Sequence, residues 1–195
     1  MACWFYDFGN LFHIFSGCLK THNTENHIMS NYFTLFRLPE NYDIDTNALA
    51  QTHRALIAQF HPDKFAAASA FEQKQALMMT ATLNEAHRVL NDPLDRAAYL
   101  LQKQGINADA PEHTQFAPEF LIQQMEWRET LMDAKISQNI HELNQLAQTI
   151  AAEQKQLQQN LQAAFAQNQW EHAAEWVRQG RFLSKLAQEI HAAQE

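Results

Sequence analysis

The residues with the clearest chemical potential are His61, Pro62 and Asp63, which follow one another directly in the chain. A histidine oriented by a neighbouring carboxylate is an arrangement that general acid–base catalysis uses. Catalysis of that kind also needs a nucleophile and oxyanion donors, and this stretch has neither a positioned nucleophile nor a glycine-rich turn. A hydrolase built on His61 and Asp63 would require a third catalytic group and a pocket, so we expect no catalytic residue and no enzyme activity.

A second set of candidate ligands lies near the N-terminus and comprises two cysteines and three histidines: Cys3, Cys18, His13, His22 and His27. A structural zinc site needs four converging ligands, usually in closely spaced pairs such as C-x-x-C. The spacing here is irregular. We therefore expect no metal and no cofactor, and we read the two cysteines as free thiols of a reducing compartment, the cytoplasm.

Residues 1–28 are rich in aromatic side chains, but Asp7 interrupts the apolar run and no basic stretch precedes it. These features disfavour a signal peptide and a membrane span. We expect this segment to be a disordered or non-native extension ahead of a biological start at Met29, and to be dispensable for folding and function.

The His61 segment must be held in place by the helices on either side of it. Apolar residues recur at helical spacing after Asp45, a good N-cap, and Pro62 ends that helix. A longer helix is predicted from about Ser69 to Asn91, and Asp92 followed by a proline predicts the start of another that reaches about Gln104. A brief helix over Tyr32–Leu38 precedes them. Residues 61–63 therefore lie in the connection of a helical hairpin.

The second half of the chain is also predicted to be helical. Residues 105–117 read as a linker because they are polar and contain Pro111. Helices are expected at about 118–135, 137–167 and 169–193. Mostly apolar residues at alternating steps of four and three predict the packing seam of the middle helix: Ile136, Ile140, Leu143, Ala147, Ile150, Gln154, Leu157, Leu161 and Ala164. The inward face of the last helix is predicted to be Ala173, Trp176, Gly180, Leu183, Ala187 and Ile190.

The helix at 118–135 has two apolar stripes, which lie well over 100° apart at 100° per residue. One contains Leu121, Ile122, Met125 and Met132, and the other contains Phe120, Trp127 and Leu131. One stripe can be buried in a bundle, and the other must contact the first half of the chain, a second protein or solvent. Periodicity alone also allows both stripes to be buried within the chain. Phe182 on the last helix is expected to point away from the core as an exposed aromatic residue.

Composition supports this all-α architecture. Hydrophobic residues make up 46% of the 195 residues, with only 4 glycines and 5 prolines, which disfavours turn-rich β folds. The formal charge is −8. Residues 106–195 carry six Lys and Arg against twelve acids, and so account for −6 of that charge. Such a balance argues against nucleic acids and anionic membranes as partners.

Three separated motifs resemble the J-domain of the DnaJ family. They are the segment Tyr32 to Leu38, the stretch FHPDKF around His61, and the run LNEAHRVLNDPLDRAAY that ends at Tyr99. The continuation to Leu101 and Gly105, followed by an acidic helical half, is similar to HscB-type iron–sulfur co-chaperones. The resemblance covers about residues 30–190.

This resemblance implies a J-domain at 30–104, with short helices flanking the hairpin, and a scaffold-binding three-helix bundle at 117–194. It implies that the J-domain stimulates ATP hydrolysis by the DnaK-class chaperone HscA, while the bundle delivers the iron–sulfur scaffold IscU. A J-domain co-chaperone with a different client is the alternative. No nucleic-acid or membrane partner is implied.

His61, Pro62 and Asp63 match the family's chaperone-binding motif, and Arg54 matches a basic position of its second helix. Lys64 completes the expected chaperone-binding set, although both Arg54 and Lys64 are also compatible with solvated surface charges. The implied scaffold-binding surface maps onto Leu121, Ile122, Met125, Glu126, Arg128, Glu129 and Phe182. The chain departs from the family on the second helix, where Ala55 and Gln59 stand at positions that are commonly lysine. Fewer cations weaken long-range attraction, so chaperone docking is expected to rely more on Lys64 and on direct contacts.

Overall fold

The structure is a computed structural model that describes residues 31–110 and 116–195. Residues 1–28 and the centre of the predicted linker lie outside these ranges. The described part is all-α, as predicted, and contains α1 (Tyr32–Leu35), α2 (Thr46–Phe60), a short 3-10 helix (Pro62–Phe65), α3 (Ala70–Asn91), α4 (Pro93–Lys103), α5 (Pro118–Ile136), α6 (Ile140–Ala166) and α7 (Trp170–Gln194).

Side-chain caps fix the helix starts that the sequence predicts. The Asp45 carboxylate accepts hydrogen bonds from two backbone N–H groups at the start of α2. Ser69 and Glu72 form a reciprocal capping box at the start of α3, and Asp92 caps α4 ahead of its first proline. The first helix is shorter than predicted and ends at Leu35, because the chain turns through a left-handed residue, Arg37 (φ 56°), before Pro39.

The α2–α3 hairpin and the bundle each bury an apolar face. In the hairpin the central buried residues are Leu49, Leu83, Ala86 and Leu90. The seam of α6 is confirmed from Leu143 to Ala164 and also includes Leu146. Ile136 and Ile140 do not belong to it and are 73% and 51% exposed. The reason is the turn between α5 and α6, which passes through Gln138 in a left-handed conformation (φ 52°) and interrupts the helical register.

The last helix buries a broader face than predicted. Trp176 and Ala187 are only half-buried, whereas Ala174, Val177 and Leu186 are buried as well. This breadth arises because α7 packs against both α6 and α4. A β-carbon at Gly180 would lie 2.4 Å from Leu94 Cδ2 of α4, so the absence of a side chain lets the two helices approach closely.

The hairpin half and the bundle share one hydrophobic core. Tyr42 stacks on Phe165 of α6 with ring centroids 4.8 Å apart, and burial raises the pKa of the Tyr42 hydroxyl to about 12. The predicted linker begins as packed chain, since Ala108 and Ala110 are buried in it. Asp109 forms a salt bridge with Arg181 of α7. The first residues after α4 are therefore held against the bundle.

Candidate functional site

His61 sits where α2 ends and the 3-10 helix begins. It is the C-cap of α2 and the N-cap of the 3-10 helix, and Pro62 occupies the first position of that helix. The Asp63 backbone N–H donates to His61 Nδ1 at 3.3 Å. A ring nitrogen that accepts a hydrogen bond carries no proton, so the His61 proton lies on Nε2, which can donate to a partner. His61 Nδ1 lies 3.5 Å from Asp63 Oδ2, but with the imidazole neutral these two atoms do not form an ion pair.

The connection that carries His61 is anchored to α3 by three side-chain hydrogen bonds. Thr80 Oγ1 donates to the Phe60 carbonyl at 3.0 Å. Gln73 Nε2 donates to the carbonyls of Ala66 and Ala68 at 3.2 and 3.1 Å. These bonds satisfy backbone acceptors at the end of α2 and in the turn that follows it. They hold the turn in place while His61 and Asp63 keep side-chain exposures of 49% and 90%.

The predicted docking cations lie on this exposed edge. Arg54 is exposed on α2, seven residues and thus about two helical turns before His61. Lys64 is exposed in the 3-10 helix, and Pro62, two residues earlier, is half-buried. The structure therefore brings the five predicted residues to one end of the hairpin and its adjoining helix face. This exposed arrangement is suited to binding a protein surface.

The second group of predicted residues lies on α5, where the two stripes separate cleanly. Trp127 and Leu131 are buried against the bundle. On the opposite stripe Leu121, Ile122 and Met125 are 43%, 59% and 71% exposed. Burial of both stripes within the chain would have left no such surface. Glu126, Arg128 and Glu129 are also exposed and surround the three apolar residues.

Phe182 differs from the expectation of an exposed aromatic residue. It is half-buried, with its ring 6.5 Å from Trp127 in a stacked geometry and 5.8 Å from Phe120 in an edge-on geometry. Arg128 Cζ lies 5.4 Å from the centre of the same ring. Helical angles place Phe182 away from the centre of the α7 seam, but they do not show that α5 packs over its ring. One edge of Phe182 thus belongs to the core, and Arg128 links it to the exposed stripe.

Sequence reasoning missed part of the exposed apolar surface. Ile136, which is 73% exposed, continues the predicted α5 stripe beyond Met132, which is 63% exposed. Phe71, Leu77 and Met78 on α3 are exposed by 56% or more. The 100° spacing that places Met132 in this stripe also places Ile136 on the same face of α5. The sequence prediction instead includes Ile136 in the α6 seam, so this part of the stripe is missing from it. Among the described residues no helix is long and apolar enough to cross a membrane, and no three His, Cys, Asp or Glu side chains converge on a metal position.

Comparison with known proteins identifies the family. Residues 116–191 match the family model described as the HSCB C-terminal oligomerisation domain. A co-chaperone protein HscB homolog of Neisseria meningitidis serogroup C is 60% identical over 165 residues, which are 85% of this chain and 99% of that protein. The chain belongs to the HscB family of co-chaperones.

Solved structures agree with this assignment. The chaperone HscB from Vibrio cholerae is 37% identical and has a TM-score of 0.74, covering 83% of this chain and 96% of that one. The human co-chaperone protein HscB is 27% identical with a TM-score of 0.80, over 86% of this chain and 83% of that one. The predicted resemblance to HscB-type co-chaperones and the all-α fold are thereby confirmed. The human and the Neisseria meningitidis relatives are named co-chaperones.

Proposed function

We propose that this HscB-family chain serves iron–sulfur cluster assembly by bringing an IscU-type scaffold protein to an HscA-type chaperone of the DnaK class. The hairpin half would stimulate ATP hydrolysis by the chaperone, and the exposed α5 face would hold the scaffold. The observation that carries the proposal is the pairing of two exposed surfaces in one chain of this family. One is the His61 turn, and the other is an apolar helix face that nothing in the described residues covers.

The chaperone half of the proposal depends on how the His61 turn is presented. Its backbone is fixed by bonds from Thr80 and Gln73, so a partner can dock without first ordering it. The Nε2 proton of His61 and the Asp63 carboxylate offer one donor and one acceptor side by side. With only Arg54 and Lys64 as nearby predicted cations, this docking should depend on such direct contacts more than on long-range attraction.

The scaffold half depends on the composition of the α5 surface. Its centre is apolar and contains Met125, whose flexible thioether can fill irregular gaps in a partner surface. Charged residues border it, which matches the general anatomy of an apolar interface centre with a polar rim. Arg128 rests on the Phe182 ring, and this contact holds its guanidinium in position at the border.

The decisive experiment is a chaperone ATPase assay with the His61→Gln variant. We expect stimulation of the chaperone to be abolished, while the melting temperature and scaffold affinity stay unchanged, because His61 is exposed and packs against little. His172→Gln, an exposed histidine at the start of α7, is the matched control and should stimulate normally. Full stimulation by folded His61→Gln would refute the chaperone assignment. Stimulation without any binding of scaffold would favour a co-chaperone with a different client.

A further inference from the structure

The exposed apolar stripe of α5 is longer than the predicted scaffold-binding set. At 100° per residue Leu121, Met125, Met132 and Ile136 fall within an arc of about 60°. From Leu121 to Ile136 the stripe spans 16 residues, and the 15 steps between its ends cover about 22 Å at 1.5 Å per residue. Its second half, Met132 and Ile136, is 63% and 73% exposed, while Leu131 just before them and Ala134 between them are buried against the bundle. We call Met132 and Ile136 the distal patch.

Charged side chains border the stripe along its whole length, with acids on one side and bases on the other. Glu126, Glu129 and Asp133 follow one edge, and Arg128 and Lys135 follow the other. All five are exposed. None of them forms a salt bridge within the described residues. The distal patch thus has the same border as the predicted site, with one acid and one base of its own.

We propose that the distal patch is part of the scaffold-binding surface, so that the scaffold contacts α5 from Leu121 to Ile136 along one continuous stripe. This inference rests on the proposed function. It also states the chemistry of the partner surface, which must present an apolar strip of about 20 Å with cationic side chains facing Glu129 and Asp133.

A second copy of this chain is the competing occupant of the distal patch. Two exposed aliphatic side chains offer about 200 Å² of apolar surface, whereas a stable protein interface takes roughly 600–1,000 Å² from each partner. The distal patch is therefore too small to hold a dimer by itself. It is large enough to enlarge an interface that already includes Leu121, Ile122 and Met125, with which it is continuous.

The test is a titration of purified IscU-type scaffold into the full chain and a double variant, Met132→Ser with Ile136→Ser. We expect the variant to bind the scaffold about tenfold more weakly or worse, as loss of two apolar anchors from an interface should. Its melting temperature and its stimulation of the chaperone without scaffold should not change. The matched control is Leu77→Ser with Met78→Ser, which removes two similarly exposed apolar residues from α3 and should leave scaffold affinity intact.

Met125→Ala, measured in parallel, separates failure of this inference from failure of the proposed function. Weaker binding by Met125→Ala with wild-type binding by the distal variant would overturn the extension and leave the proposed site in place. Wild-type binding by both would overturn the proposed scaffold site as well. A shift in sedimentation of the distal variant relative to wild type, with scaffold affinity unchanged, would assign the patch to a second copy and also overturn the inference.

Discussion

Phe182→Ala and Met125→Ala should differ in stability although both residues belong to the proposed scaffold surface. Met125 is 71% exposed, so its truncation removes little burial and should cost less than about 0.5 kcal/mol. Phe182 packs against Phe120 and Trp127. Removing a fully buried phenylalanine costs about 3–5 kcal/mol, and for a half-buried ring we take about half, or about 1.5–2.5 kcal/mol. For a chain of this size that loss lowers the melting temperature by about 3–10 °C.

Thermal melts and scaffold titrations of the two variants measure the two effects independently. We expect both variants to lose about thirtyfold or more in scaffold affinity, the loss that corresponds to about 2 kcal/mol for an interface anchor. Only Phe182→Ala should melt early. If the two side chains contact the scaffold independently, the loss of binding free energy in the double variant should equal the sum of the two single losses. A drop in melting temperature for Met125→Ala equal to that of Phe182→Ala would refute the assignment of the α5 faces.

Two further predictions concern the hairpin half. Burial, and secondly the charge of the stacked His53 ring at 4.1 Å, lowers the pKa of His87. At pH values near the ordinary histidine pKa the unfolded chain therefore binds more protons than the folded chain, and stability should fall as the pH drops below about 6.5. Urea unfolding from pH 5 to 8 should show this pH dependence, and the slope should be flatter in His87→Gln. The Asp95 carboxylate is 16% exposed and forms salt bridges with Arg88 at 2.5 Å and Arg181 at 2.6 Å. Asp95→Asn should therefore lower the free energy of unfolding by about 1–2 kcal/mol at 50 mM NaCl and by less at 500 mM. Equal stability of variant and wild type at low salt would contradict this.

The accuracy of sequence reasoning on this chain follows the range of the interactions involved. Asp45 and Asp92 cap helices through bonds to neighbours two or three residues away, and such local rules are visible in the sequence. The two faces of α5 also follow from helical spacing. The prediction that Ile136 belongs to the α6 seam is wrong, because α5 ends at Ile136 and the chain then passes through a left-handed turn at Gln138 that no periodicity encodes. Local capping and periodicity are thus predicted well, and interruptions of register are not.

Contacts between distant elements account for the other differences. Phe182 was placed at the surface because its angle on α7 leaves the α6 seam, and only the position of α5 covers its ring. The extra burial of Ala174 and Val177 requires α4 to pack on α7, which a pattern within one helix cannot show. The fold class and the division of α5 into a buried and an exposed face could therefore be predicted from the sequence. The depth at which each site residue lies could not, since it depends on how the helices pack.

The packing of α4 on α7 bears on how the two proposed docking surfaces can influence each other. Leu94 of α4 lies against Gly180, and Tyr42 stacks on Phe165, so the hairpin half and the bundle meet through side chains of one core. A hinge between them would have to expose these residues, at about 25 cal/mol for each Å² of apolar surface. Binding at one surface can change affinity at the other only through a state that the first ligand favours. A hinged state is costly here, so communication between chaperone and scaffold should arise chiefly from their contact with each other, and His61→Gln should leave scaffold affinity unchanged.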